Sequence, residues 1–96
     1  MSGYVHMFRL GSEVENSGRA VPQFQLTYTA GGNSFVRVFE PAGLEEFIRS
    51  NLGITAAAAD KAMADLRAGQ PVTINDVEIP EHQTAAMGLE QLPSDY

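Results

Sequence analysis

The fold is decided by residues 44–79, which read LEEFIRSNLGITAAAADKAMADLRAGQPVTINDVEI. In the first third of this stretch, apolar residues recur at helical spacing: Leu44, Phe47, Ile48 and Leu52. The spacing places them on one face of an α-helix, and Pro41 suits its first turn, where a missing N–H costs nothing. Gly53 followed by the apolar Ile54 is typical of a helix end. The pattern therefore predicts one amphipathic helix that stops at Gly53.

A second helix is predicted to begin after Thr55, whose hydroxyl can cap it, and to end at Gly69. Its apolar stripe comprises Ala59, Ala62, Met63 and Leu66. Pro71 prevents the helix from resuming, and residues 72–79 have the apolar pattern of a strand. Asn75-Asp76 fits either a hairpin turn or a bulge within that strand. We favour one bulged strand, because very short hairpin arms are marginally stable alone.

The first half of the chain predicts a block of strands. Residues 4–10 alternate between a face with Tyr4, His6 and Phe8 and a face with Val5 and Met7. Residues 21–30 alternate most cleanly between apolar and polar side chains, which indicates an antiparallel sheet with one buried face. Residues 31–34 form a glycine-rich hairpin turn, and residues 35–39 return as a third strand.

Three segments are assigned by composition. Residues 11–20 are rich in Gly, Ser and Asn and are predicted to form a loop. Residues 81–87 are predicted to form a short helix, and residues 90–96 a loosely held acidic tail. Residues 1–96 then make a single small α+β domain. Its elements follow the order β-β-β-α-α-β around an antiparallel sheet, and the helix pair packs on one face of it.

The composition excludes several classes of activity. The chain has no cysteine, so disulfides, thiolate catalysis and cysteine-based zinc sites are excluded. Together with the lack of an N-terminal signal segment, this predicts a cytoplasmic protein. The formal net charge of −6 disfavours nucleic acid as a partner. No apolar run approaches the ~18 residues of a membrane span, so no membrane association is predicted.

The residues that could carry chemistry have simpler explanations. His6 alternates with aromatic residues in a strand, and no second group in the sequence is aimed at it. His82 lies near Asp76 and Glu78, but the spacing matches no metal-binding pattern such as His-Glu-x-x-His. The glycines of residues 31–34 lack the Gly-Lys-Ser/Thr ending of a phosphate loop. We therefore predict no catalytic residue, no metal site and no cofactor.

The leading hypothesis is a non-enzymatic protein-interaction or accessory module that binds a protein partner or forms a homodimer. It rests on apolar strand residues that exceed what one small sheet face can hide: Tyr4, Val5, Met7, Val36 and Val38. Candidates for the interaction surface or for a pocket are Tyr4, His6, Tyr28, Arg37 and His82.

Two alternatives belong to other classes of protein. Residues 44–79 resemble part of a winged helix-turn-helix domain, with Asn75-Asp76 at the tip of the wing, which implies DNA binding. Against it, the second helix offers only Lys61 and Arg67 as cations. The other alternative is a ligand-binding protein or an enzyme with a pocket between sheet and helices, where His6, Tyr28 or Arg37 would converge.

Overall fold

A computed structural model describes residues 2–14 and 20–93 of the chain. In this part of the protein the elements are, in chain order, β1 (Gly3–Val14), β2 (Ala20–Ala30), β3 (Asn33–Phe39), α1 (Pro41–Asn51), α2 (Ala56–Arg67), β4 (Val72–Val77), a 3-10 turn (Glu81–Gln83) and β5 (Glu90–Gln91).

The strands form one antiparallel sheet in the order β4-β1-β2-β3-β5. Helix α1 packs over β2 and β3, and helix α2 packs over β1 and β4, so both helices lie on the same face. The last long strand, β4, crosses back and joins the sheet beside β1. The predicted α+β fold, with a helix pair on one face of an antiparallel sheet, is confirmed.

Both helices begin and end where the sequence predicts. Pro41 occupies the first turn of α1, and Gly53 follows that helix with a φ of 65°, which glycine adopts without strain. The Thr55 hydroxyl accepts a hydrogen bond of 3.1 Å from the backbone N–H of Ala58 and caps α2. Gly69 follows α2 with a φ of 86°. These caps leave only a short connection between the helices, so both apolar faces meet the same sheet.

The core lies between the helix pair and the sheet. The apolar side chains of α1 and α2 are buried, as are the strand residues that face them. The largest fully buried side chains include Tyr28, Phe24, Met7, Leu26, Leu44, Ile48, Met63 and Leu66. Burying one such Leu, Met or Phe side chain contributes about 1.5–3 kcal/mol, so this single contact layer dominates the stability of the fold.

Two irregularities set the sheet geometry. Gly31 and Gly32 make the tight turn between β2 and β3, with φ values of 59° and 81°. In β4, Ile74 lies opposite Val5 whereas Val77 lies opposite Gly3, so the register shifts by one residue. Asp76, within this shift, has a φ of 59°. The segment is therefore one bulged strand, as favoured from the sequence, and the hairpin alternative is wrong.

Four boundaries differ from the prediction, and the first is that the strand predicted for residues 72–79 ends at Val77. β1 extends to Val14 and β2 starts at Ala20, because the two strands continue to pair after a bulge, so the predicted loop of residues 11–20 is too long. Its central part, residues 15–19, lies outside the described residues. The short helix is only the 3-10 turn of Glu81–Gln83. The predicted loose tail begins instead with β5, which pairs with the outer edge of β3.

Candidate interaction surface

The helices leave the second face of the sheet open. Residues that lie directly opposite each other in antiparallel strands point to the same side, so the register of the central strands defines this face. We call it the uncovered face; its residues are Tyr4, His6 and Phe8 in β1, Gln25, Thr27 and Thr29 in β2, and Ser34, Val36 and Val38 in β3.

The most exposed large hydrophobic side chains of the described residues belong to this side of the sheet. Tyr4 is 44% exposed, Val38 is 46% exposed and Leu92 is 42% exposed. Leu92 directly follows β5, and its backbone N–H donates to the carbonyl oxygen of Ser34 at 2.8 Å. Because Glu90 lies opposite Val36, the alternation of β5 directs Leu92 to the uncovered face as well. Scattered exposed apolar residues are normal, but their collection on one face is informative.

Polar side chains on the uncovered face bond to each other. Nδ1 of His6 lies 3.0 Å from the Thr73 hydroxyl of the neighbouring strand. The hydroxyls of Thr29 and Ser34 lie 3.2 Å apart. The His6 ring also contacts the ring of Phe8, with 5.8 Å between centroids. These lateral contacts lower the desolvation cost of covering the face, since part of the bonding capacity of its polar groups is already used.

The uncovered face is also nearly free of charge. Among the nine residues that define it, none carries a formal charge when histidine is counted as neutral, although the chain carries −6. Glu90 of β5, opposite Val36, adds a carboxylate at its border. The cationic side chains of β1 and β3 point to the helix side. Arg9 donates to the carbonyl oxygen of Arg67 at 3.3 Å, and Arg37 donates to the carbonyl oxygen of Met87 at 2.7 Å. Depletion of charge is typical of the core of a protein–protein interface.

The residues singled out from the sequence lie in different places. Tyr4 and His6 share the uncovered face, as their alternation implies. Tyr28 is buried beneath the helices, where its hydroxyl donates to the carbonyl oxygen of Val77 at 3.4 Å and accepts from the N–H of Ile79 at 3.2 Å. Its role in the described structure is to hold the chain that follows β4.

Arg37 and His82 lie neither on the uncovered face nor in the buried core. Arg37 lies on the helix side, over the ring of Phe39 at 4.3 Å, and lines a groove of about 370 Å³ beside α1. His82 is exposed in the 3-10 turn. Tyr28 borders a different, smaller cavity of about 110 Å³. The structure thus does not bring His6, Tyr28 and Arg37 to one cavity.

Sequence reasoning missed Leu92 and Thr73 as parts of this surface. The sequence predicts that Leu92 lies in a loose tail, because a two-residue strand such as Glu90–Gln91 leaves no periodic pattern to detect. Thr73 reaches His6 only because β4 pairs with β1 after two helices intervene. The alternation within β4 predicts that Thr73 points away from the side of Val72 and Ile74. The sequence does not show which strand β4 pairs with.

The described residues show no features of a metal site, of an unpaired buried polar group or of a membrane-spanning helix. In residues 2–14 and 20–93, no three histidine or carboxylate side chains cluster as metal ligands would. Every buried side-chain nitrogen or oxygen of the described residues has a hydrogen-bond partner. None of the helices described is both long enough and apolar enough to cross a membrane. Comparison of the chain with protein-family models, curated proteins and solved structures finds no match.

Proposed function

We propose that this protein is a non-enzymatic interaction module of the cytoplasm that forms a homodimer through the uncovered face. The observation that carries the proposal is the position of Tyr4, Val38 and Leu92, the most exposed large hydrophobic side chains described, on that one face. The other face already has its cover, the helix pair. A sheet face that has exposed apolar side chains and no helix over it gains stability from a partner.

The charge distribution favours a second copy as the partner. Two copies with a net charge of −6 each repel one another at most orientations. The central strands of the uncovered face let two copies approach closely without bringing like charges together, with Glu90 at the border of the contact. Its hydroxyl and imidazole groups offer hydrogen bonds across such a contact, and its apolar groups supply the driving force.

The size of the face sets the expected strength. The four neighbouring strands β4-β1-β2-β3, spaced about 4.8 Å apart and about seven residues long, present roughly 450 Å² of flat surface. A standard interface buries about 800 Å² on each partner. We therefore expect a weak dimer that forms at high protein concentration.

Sedimentation equilibrium of the wild-type protein and of Val38→Lys tests the proposal. The lysine would place a charge within the proposed dimer contact, where burying it without a partner is costly. The substitution also lowers the net charge of the monomer from −6 to −5, so general repulsion between copies decreases. Weaker association of this variant can then arise only at the face itself.

Ala57→Lys is the matched control. Ala57 is exposed on α2, on the opposite side of the sheet, and the substitution produces the same net charge. We expect the wild type and Ala57→Lys to dimerise alike and Val38→Lys to remain monomeric. A wild-type protein that stays strictly monomeric at about 1 mM would remove the homodimer from the proposal.

The alternatives from the sequence stay predictions with their own tests. For DNA binding, Asn75-Asp76 lies in a strand bulge beside β1, so the expected wing hairpin is not formed. Electrostatic binding would be strongest at low salt, and a gel-shift experiment there tests it. For a pocket, the groove beside Arg37 is the place where added small molecules would be sought by NMR shift mapping.

A further inference from the structure

In residues 2–14 and 20–93, no strand pairs with the outer edge of the sheet at β4. Within this described part of the chain, β4 is the terminal strand of the sheet and pairs only with β1. On its outer side, alternate backbone N–H and C=O groups are free to bind another extended chain. Proteins commonly protect such edges with lysine, proline or a β-bulge. Val72–Val77 contains no lysine or proline, and its bulge at Asp76 leaves residues 72–74 in regular antiparallel pairing with β1.

An apolar groove runs along this edge on the helix side. It has a volume of about 470 Å³, within the ~300–1,000 Å³ usual for ligand sites. Its floor is formed by Val72 and Ile74, and its wall by Ala58 and Ala62 of α2. Lys61 and Asp65 at the rim neutralise each other in a salt bridge of 3.0 Å. A strand added to β4 would direct every second side chain into this groove.

We propose that the β4 edge and its groove bind a short extended segment of another protein by strand addition. Two features limit the segment to about four residues that pair with residues 72–75. Pro71, without an N–H, precedes this stretch, and the bulge at Asp76 follows it. The segment carries apolar side chains at alternate positions for the groove, and basic residues at its ends suit a chain with a net charge of −6.

A second copy of this chain fits the groove less well than a separate segment. In an edge-to-edge dimer, the partner strand would be another β4. Its groove-facing side chains, at the positions of Val72 and Ile74, would already pack beneath the second copy's own α2. They are then unavailable to fill the groove of the first copy. A segment without its own helix has these side chains free.

Fluorescence anisotropy with a defined probe tests the proposal. The probe is the labelled peptide Lys-Thr-Val-Thr-Val-Thr-Lys, and its comparison peptide has proline in place of the central threonine, which removes a backbone donor. We expect saturable binding of the probe and at least about tenfold weaker binding of the proline peptide. In hydrogen exchange, the probe should slow alternate amides of residues 72–75, as an added strand requires.

Ala58→Asp and Ala57→Asp form a matched pair. Both exposed alanines lie in the first turn of α2, where a carboxylate suits the helix dipole, and both variants have the same net charge. Only Ala58 lines the groove. We expect Ala58→Asp to weaken probe binding at least about tenfold and Ala57→Asp to change it by less than about twofold.

The remaining outcomes decide against the proposal. The site is overturned if the probe fails to bind at about 1 mM, or if both aspartate variants bind it equally. It is also overturned if Val38→Lys weakens probe binding, because the probe would then lie on the uncovered face. A wild-type dimer that Ala58→Asp dissociates would assign the edge to a second copy. The proposed homodimer is tested separately, since a monomeric protein should still bind the probe.

Discussion

The two faces of β2 differ in almost every physical property, although their residues alternate along one strand. Phe24, Leu26 and Tyr28 point to the helices and are fully buried. Gln25 and Thr27 point the other way and remain partly exposed. The helix-covered face supplies the free energy of folding. The uncovered face buries less apolar surface, so its composition is freer to serve a partner, and its exposed apolar residues call for a functional explanation.

The largest expected effect comes from comparing one substitution on each face of β2. Leu26 is 0% exposed, and Leu26→Ala should reduce the free energy of unfolding by about 2–5 kcal/mol, because the lost contacts leave a cavity. Thr27→Ala, one residue away on the uncovered face, should change it by about 1 kcal/mol or less, since Thr27 is partly exposed and loses one side-chain hydrogen bond from Gln25. Urea unfolding at low protein concentration measures both. Equal losses would mean that the uncovered face is part of the folding core.

A smaller effect is expected from a single buried hydroxyl on the covered face. The Tyr28 hydroxyl bonds to the backbone at Val77 and Ile79, beyond the end of β4. Tyr28→Phe leaves the N–H of Ile79 without this partner, which should cost about 1–3 kcal/mol. Hydrogen exchange should show faster exchange at Ile79 than at the amides of α1. Unchanged exchange at Ile79 would show that the hydroxyl does not hold this segment.

The alternation of side chains predicts which residues of a strand share a face, but it does not predict which strands pair. The two-residue period of residues 21–30 separates buried from exposed positions correctly, because burial follows directly from the pleat. In residues 4–10 it groups the side chains correctly but does not show which group the helices cover. Val5 and Met7, expected among the apolar residues that one sheet face could not hide, are fully buried. The continued pairing of Val14 with Ala20 depends on contacts between polar segments that look like a loop in sequence. Likewise Thr73 and Leu92 join the uncovered face through pairings made after long intervening segments. Such contacts are set by the whole fold.

The outer surface of the helix pair offers the finest comparison, since it is exposed like the uncovered face but richly charged. Arg49 of α1 bonds to Glu45 at 3.3 Å and to Asp60 of α2, and the bond to Asp60 is the main cause of its raised pKa. A raised pKa means that the stabilisation from the charged Arg49 side chain is complete at neutral pH and is lost only as the pH rises through the raised value.

Arg49→Gln should therefore destabilise the protein equally at pH 6 and pH 9. The loss should be smaller than that caused by Tyr28→Phe. It should be smaller still in about 1 M salt, where exposed charges are screened. A double-mutant cycle with Asp60→Asn isolates the pair by urea unfolding. A coupling that salt leaves unchanged would show that packing of the arginine stem, not charge, joins the helices here.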